Sequence, residues 1–184
     1  MLLCSMSEDE REAENAQLDN LLRELSAGNM AALETLYHRT SASVYGFALS
    51  ILKNTHDAED VLHDCYVAVW HGAADYRTQG KPLAWLLTIT RNLCLQKLRE
   101  RRRTADLPQE DWEPYLASRE GLTPEDRAAL TACMEQLSDQ ERQIVTLHAV
   151  SGFKHREIAA LLELPLPTVL SKYNRALKKL RQYL

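Results

Sequence analysis

Thr168, Ser171, Lys172, Arg175 and Lys179 are spaced three, one, three and four residues apart, which on a helix sets two hydroxyls and three cations along one side. The chemistry open to such a stripe is recognition: cations attract phosphates, and hydroxyls reach base edges. A second group, Trp85, Thr88, Asn92 and Arg99 with Arg91 at its border, also follows helical spacing. An aromatic ring among polar and cationic groups suits unpaired nucleic acid, where the ring stacks on bases and arginines follow the backbone. The competing reading has Trp85 packed on the loop before it and Arg101-Arg102-Arg103 as a solvated helix end. A third group, Glu59, Asp60, His63, Asp64 and Val67, forms an acidic stripe with one apolar member. It fits a basic protein surface better than it fits DNA, or else it is a plain solvated face.

Other chemistries find no support. Cys4, Cys65, Cys94 and Cys133 are scattered without a C-x-x-C pair, and the last three fall on apolar helical faces. His56, His63 and His71 share a side, but spacings of seven and eight residues put neighbours about 10–12 Å apart, too far for one metal ion. No glycine-rich phosphate loop, nucleophile–base pairing or metal cluster is visible, so neither a cofactor nor an enzymatic activity is expected.

The formal net charge of −4 conceals strong segregation. Residues 1–24 carry 2 basic and 7 acidic side chains, whereas residues 81–103 carry 7 basic and 1 acidic. Residues 104–127 return to 2 and 7, and residues 128–184 hold 8 and 5. Polyanions respond to local potential, so two basic patches on an acidic chain suffice for nucleic-acid binding. No apolar run is long enough to span a membrane, and Met1–Met6 leads at once into Ser7-Glu8-Asp9-Glu10, unlike a secretory signal. A cytoplasmic protein without membrane insertion is expected.

The elements that must position these groups are all helical. Only 6 Gly and 6 Pro interrupt the chain. Residues 1–17 are acidic and read as a mobile segment. Helical patterns follow at 18–27, 30–40 and 42–52, and Asp57 is a candidate N-cap for a helix over 58–71. Pro82 opens a helix reaching about residue 102. Residues 104–122 hold two Pro, one Gly and five acids and read as a flexible linker. Thr123-Pro124-Glu125-Asp126 restarts a helix, and Ser138 with Glu141 forms a capping box for another ending at Gly152. The expectation is an all-α chain of two small helical domains, 18–103 and 123–184, joined by that linker.

From His155 to the C-terminus the pattern is helix, tight turn at Leu164-Pro165-Leu166, and longer helix, with Pro167 in its first turn. Val169, Tyr173, Ala176, Leu177, Leu180 and Leu184 make its core side. This is a helix-turn-helix, whose second helix enters a major groove. The run LSDQERQIVTLHAVSGFKHREIAALLELPLPTVLSKYNRALKKL resembles the promoter-binding C-terminal domain of sigma factors of the extracytoplasmic-function (ECF) type. The resemblance is carried by Leu137-Ser138 with Glu141-Arg142, Glu157-Ile158-Ala159, Thr168-Val169 with Ser171, and Arg175-Ala176 with Leu180. AEDVLHDCYVAVW and PLAWLLTITRNLCLQKLRERRR are similar to the N-terminal domain of the same family, through Ala58-Glu59-Asp60, Trp70, Trp85-Leu86 and Arg91-Asn92. Departures include Glu163 and Pro167 where the family usually has Gly, Leu170 where it has a basic residue, Lys172 for a usual Arg, and Gln96 for a frequent Asp.

The resemblance implies a transcription initiation factor without chemistry of its own. It implies that the Glu59–Val67 stripe grips the clamp helices of the largest subunit of core RNA polymerase. It implies further that Trp85, Thr88, Arg91, Asn92 and Arg99 engage the downstream promoter element as it melts. The stripe from Thr168 to Lys179 would read the upstream element as duplex. An anti-sigma protein is a further partner the resemblance implies. Two rivals remain: a helix-turn-helix regulator that does not engage polymerase, and a small helical enzyme using the His and Cys residues.

Overall fold

The computed structural model describes residues 8–78, 80–104 and 123–182. Among these residues every regular element is helical. The helices are α1 Glu8–Ser26, α2 Met30–Leu52, α3 Thr55–Gly72, α4 Pro82–Thr104, α5 Pro124–Gln136, α6 Asp139–Ala149, α7 His155–Leu162 and α8 Leu166–Leu180. A single 3-10 turn, Ala73–Asp75, follows α3.

Local chemistry explains most boundaries. Asn29 caps α2, its side-chain oxygen accepting the Ala31 N–H at 3.1 Å. The capping box expected before α6 is present: the Ser138 hydroxyl accepts from the Glu141 N–H, and the Glu141 carboxylate from the Ser138 N–H. Before α3 the cap is Asn54, which accepts the Asp57 N–H at 3.0 Å; Asp57 is its partner rather than the cap itself. That shift starts α3 at Thr55, three residues before the expected 58. α6 ends at Ala149, ahead of the expected Gly152, which takes a left-handed φ of +67° in the following loop.

Two expectations need correction. The segment 1–17 is not unstructured throughout, because α1 already begins at Glu8. Glu8, Asp9 and Glu10 lie at its N-terminus, where the helix dipole favours negative charge. Glu14 binds Arg39 at 2.9 Å, and Glu8 pairs with Lys154, so this first half of α1 has partners to order it. The break expected between 40 and 42 does not occur either; α2 runs through it. Thr40 and Ser43 face the core, and the Thr40 hydroxyl donates to the Leu36 carbonyl at 2.7 Å and meets the Tyr66 hydroxyl at 2.7 Å. Tertiary burial here overrides a weak helical preference. The linker expected at 104–122 lies outside the described residues from 105 onward.

α1 to α4 pack around Leu22, Leu36, Phe47, Leu86 and Leu87, all fully buried. The apolar cluster does not stop there. Ile144, Leu147, Ile158 and Val169 of α6, α7 and α8 belong to the same buried cluster, and α6 lies across α2. The C-terminal helices are thus docked on the N-terminal unit. Across this seam Lys53 binds Asp139 at 3.0 Å and Arg91 binds Glu163 at 3.2 Å, with Lys154 on Glu8 at its edge. Exposed pairs of this kind contribute about 0–1 kcal/mol each, so the apolar contact is the main adhesive.

Within the C-terminal unit the Arg142 side chain is buried, and its guanidinium donates to the Met134 carbonyl at 3.1 Å, the Leu137 carbonyl at 2.9 Å and Asp139 at 3.3 Å. It caps carbonyls at the end of α5, where the Met134 oxygen also accepts the Leu137 N–H at 3.3 Å.

Candidate nucleic-acid and protein interfaces

The turn before α8 is made by Glu163 at φ 57°, ψ 41°, a left-handed conformation that an L side chain tolerates poorly. This is one of the positions where the resembled family carries glycine. After it, Pro165 precedes Leu166 and Pro167 sits in the first turn of α8, where its missing N–H costs nothing.

Val169 and Ala176 are the fully buried centre of α8, with Tyr173 and Leu180 half-buried beside them. The opposite side therefore centres on Pro167, Ser171, Asn174 and Lys178, flanked by Leu170 and Arg175, all exposed. Only part of the expected stripe coincides with it. Ser171 and Arg175 stand on the exposed face, the Arg175 guanidinium donating to the Ser171 hydroxyl at 3.1 Å. Thr168 and Lys172 are half-buried at its edge. Lys179 is engaged inside the protein, donating to the Gln136 carbonyl at 3.1 Å and to Glu141 at 2.7 Å. Burial alone would push the Glu141 carboxyl up; Lys179 and Ser138 outweigh it and hold the group below its ordinary value. Lys179 thus secures α8 to the α5–α6 corner. Asn174 and Lys178 were not among the expected contacts, although taking Val169 and Ala176 as the centre of the apolar stripe would have pointed to them.

Behind α8 lies a ring cluster. His148 and His155 stack at 4.8 Å, and the Tyr173 ring meets them edge-on at 4.9 and 4.6 Å. His148 Nδ1 is 2.9 Å from the Phe153 carbonyl oxygen. Burial, and then the neighbouring His148, lower the pKa of His155, whose Nε2 is buried without a hydrogen-bond partner among the described residues.

On α4, Thr88, Asn92 and Arg99 are exposed along one side, with Thr88 bonding back to the Ala84 carbonyl at 2.8 Å and Arg99 to the Leu95 carbonyl at 3.2 Å. Arg91 is turned toward the C-terminal unit and held by Glu163. Trp85 is half-buried, 4.8 Å from the Tyr76 ring and packed so that a Cβ on Gly72 would lie 3.5 Å away. Its position is that of the competing reading, a ring against the preceding loop, at the end of the Thr88–Asn92–Arg99 row. The basic segment is also partly consumed internally: Lys97 binds Asp57 at 3.3 Å and also Asp60, and Arg101 pairs with Asp57. Charge counting along the chain could not reveal this.

On α3, Glu59, Asp60, His63, Asp64 and Val67 are all exposed, opposite buried Ala58, Val61, Cys65 and Val69. Val67 is 50 % exposed, an apolar side chain left in water within an acidic row.

The cysteines are unsuited to reactivity. Burial pushes the Cys65 thiol up to about 11 despite its contact with Thr90, and burial raises Cys94 and Cys133 as well. Cys4 lies outside the described residues. No three metal-ligating side chains converge among the described residues, and no helix there is long and apolar enough to cross a membrane.

Comparison with known proteins places these faces in context. Residues 36–104 match the family model of sigma-70 region 2, and residues 127–180 match that of sigma-70 region 4. The ECF RNA polymerase sigma factor SigK of Mycobacterium ulcerans is 28 % identical over 174 residues, covering 91 % of this chain and 93 % of its own. SigK of Mycobacterium tuberculosis H37Rv is 27 % identical over 177 residues, covering 92 % and 95 %. Among solved structures, CnrH in complex with the cytosolic domain of CnrY matches with a TM-score of 0.65 at 25 % identity, over 90 % of this chain and 96 % of that one. Sigma factor RpoE in complex with the anti-sigma factor NepR, from Bartonella quintana, shares the fold with a TM-score of 0.67 at 24 % identity, over 82 % and 94 %.

Proposed function

Because the chain belongs to the sigma-70 family, as an RNA polymerase sigma factor of the extracytoplasmic-function type, we propose how its helices divide the work of promoter recognition. The protein directs core RNA polymerase to specific promoters and assists their melting. In this division the α3 stripe, Glu59, Asp60, His63, Asp64 and Val67, docks on the clamp helices of the largest polymerase subunit. Asp60 already shares Lys97, while Glu59 and Asp64 stand exposed beside an exposed valine, and such a row gains most from a surface offering both cations and an apolar contact.

The α4 row, Trp85, Thr88, Arg91, Asn92 and Arg99, engages the downstream element once its strands part, by stacking and phosphate contact. The exposed face of α8 holds the upstream element as duplex, with Ser171 and Arg175 central and Thr168 and Lys172 at its margin. Units spanning about 18–103 and 123–184 bind two places on one DNA, and the tether between them raises the effective concentration of the second contact. Melting follows from capture of the open strand, with no nucleotide hydrolysis by this chain.

One observation carries the reading. The two family matches occur in order along one chain, and each unit exposes part of its candidate set opposite a helix's core side: Glu59, Asp60, His63, Asp64 and Val67 on α3, Thr88, Asn92 and Arg99 on α4, and Ser171 and Arg175 on α8. A regulator working by α7–α8 alone would have no use for the match over residues 36–104. RpoE was solved with an anti-sigma factor, and the proposed reading includes a protein of that kind as a further partner.

The test is association with core polymerase. Wild-type chain should co-migrate with core enzyme on a native gel, whereas Glu59→Lys with Asp64→Lys should lower that affinity by at least about tenfold, or 1.4 kcal/mol, without changing duplex binding. An unaltered complex would remove the α3 stripe from the interface.

A further inference from the structure

The exposed face of α8 carries two side chains that the division of labour above leaves unused. Leu170 is 40 % exposed and belongs to neither buried cluster, although Val169 beside it is fully buried. It is one of four large apolar side chains exposed among the described residues, and alone among them it lies on α8. Asn174, one helical turn further on, is exposed and makes no side-chain hydrogen bond to the described residues. Residues at i and i+4 stand about 6 Å apart on a helix, so the isobutyl group and the amide are neighbours. Ser171, Arg175 and Lys178 run along one side of them, supplying a hydroxyl and cations.

An apolar group next to a free amide matches one base pair in particular. In the major groove an A·T pair presents the thymine C5 methyl on one base, and on the other the adenine N7 acceptor and N6 donor. A G·C pair offers neither the methyl nor that donor–acceptor order on its purine. An Asn amide complements adenine in two hydrogen bonds, and an aliphatic side chain is desolvated by a thymine methyl. Neither side chain contributes to phosphate attraction, so their effect falls on sequence choice.

We propose that Leu170 and Asn174 are specificity determinants of α8 that select an A·T pair in the upstream promoter element, Leu170 covering the thymine methyl and Asn174 bonding adenine. The proposal rests on the reading of α8 as the duplex-binding helix. It differs from phosphate anchoring, which Arg175 and Lys178 serve at any sequence.

The experiment uses the full chain with core polymerase and duplex fragments randomised across the upstream element, sequencing the retained fraction. Wild type should enrich an A·T pair at one position. Asn174→Ala should relax that choice by about five- to hundredfold, the usual worth of a paired base contact. Replacing the thymine there by uracil removes only the methyl and should weaken wild type by about three- to fivefold, while leaving Leu170→Ala unaffected. Both substitutions are at exposed positions and should leave the melting temperature unchanged. Retention of fragments without any enriched A·T position, or equal binding of uracil and thymine by wild type, overturns the proposal and leaves promoter binding standing. Failure to retain any fragment overturns the underlying reading of α8 and the proposal together.

Discussion

Arg91 of α4 and Glu163, the left-handed residue of the helix-turn-helix, meet at 3.2 Å although 72 positions separate them in the chain. One partner belongs to the candidate single-strand face and the other to the turn that positions α8. Docking of the two units therefore withdraws a cation from the α4 row. It also gives Glu163 a role that offsets its unfavourable backbone.

Two substitutions separate those effects. Glu163→Gln removes the charge and keeps the strained conformation, and should cost at most about 1 kcal/mol. Glu163→Gly removes the charge and the strain together. It should be more stable than Glu163→Gln by about 1 kcal/mol, a difference of roughly 2–4 °C in melting temperature for a chain of this size. Equal melting temperatures would show that the turn is not strained.

Adjacent lysines on α8 should behave differently. Lys179→Ala deprives Glu141 of a charged donor and should destabilise the fold by about 1–2 kcal/mol in thermal or urea unfolding. Lys178→Ala should stay within about 0.5 kcal/mol of wild type, yet weaken DNA binding at all sequences and reduce the salt slope by about one. The reverse assignment would restore Lys179 to the DNA face.

Trp85→Ala tests the α4 row. The ring packs on Tyr76 and the backbone at Gly72, so some stability is lost; a half-buried aromatic costs about 1–3 kcal/mol on truncation. Below the melting transition, permanganate reactivity of promoter thymines should appear at least about fivefold more slowly, with initial promoter binding changed less than about twofold. Equal losses in both steps would leave Trp85 a purely structural residue.

His155 makes the C-terminal unit sensitive to acid. Its pKa is lowered in the fold by burial and by His148, so the unfolded chain takes up the proton more readily. The stabilisation is whole above the ordinary value of 6.5 and is lost as pH falls below it. The melting temperature should drop between pH 7.5 and pH 5.5, and His155→Phe should flatten that slope. A profile identical to wild type would assign the acid sensitivity elsewhere.

Much of this was legible in the chain itself. Apolar residues at three and four spacing specify helices, and the Ser138–Glu141 box and Pro82 mark helix starts by chemistry confined to one turn. The two resemblances, in order, declared the family. What the periodicity of a single helix does not contain is how deep each apolar residue goes, since that depends on the surface it meets. Thus Val169 and Ala176, pressed against α6 and α7, rotate the exposed face of α8 toward Asn174 and Lys178, and Lys179 turns inward to Glu141. Thr40 and Ser43 continue α2 because Tyr66 and the core lie beside them. Trp85 settles on Tyr76, and Arg91 finds Glu163, only because distant segments arrive together. Short-range order is written in neighbouring residues; burial and long-range pairing are properties of the packed whole.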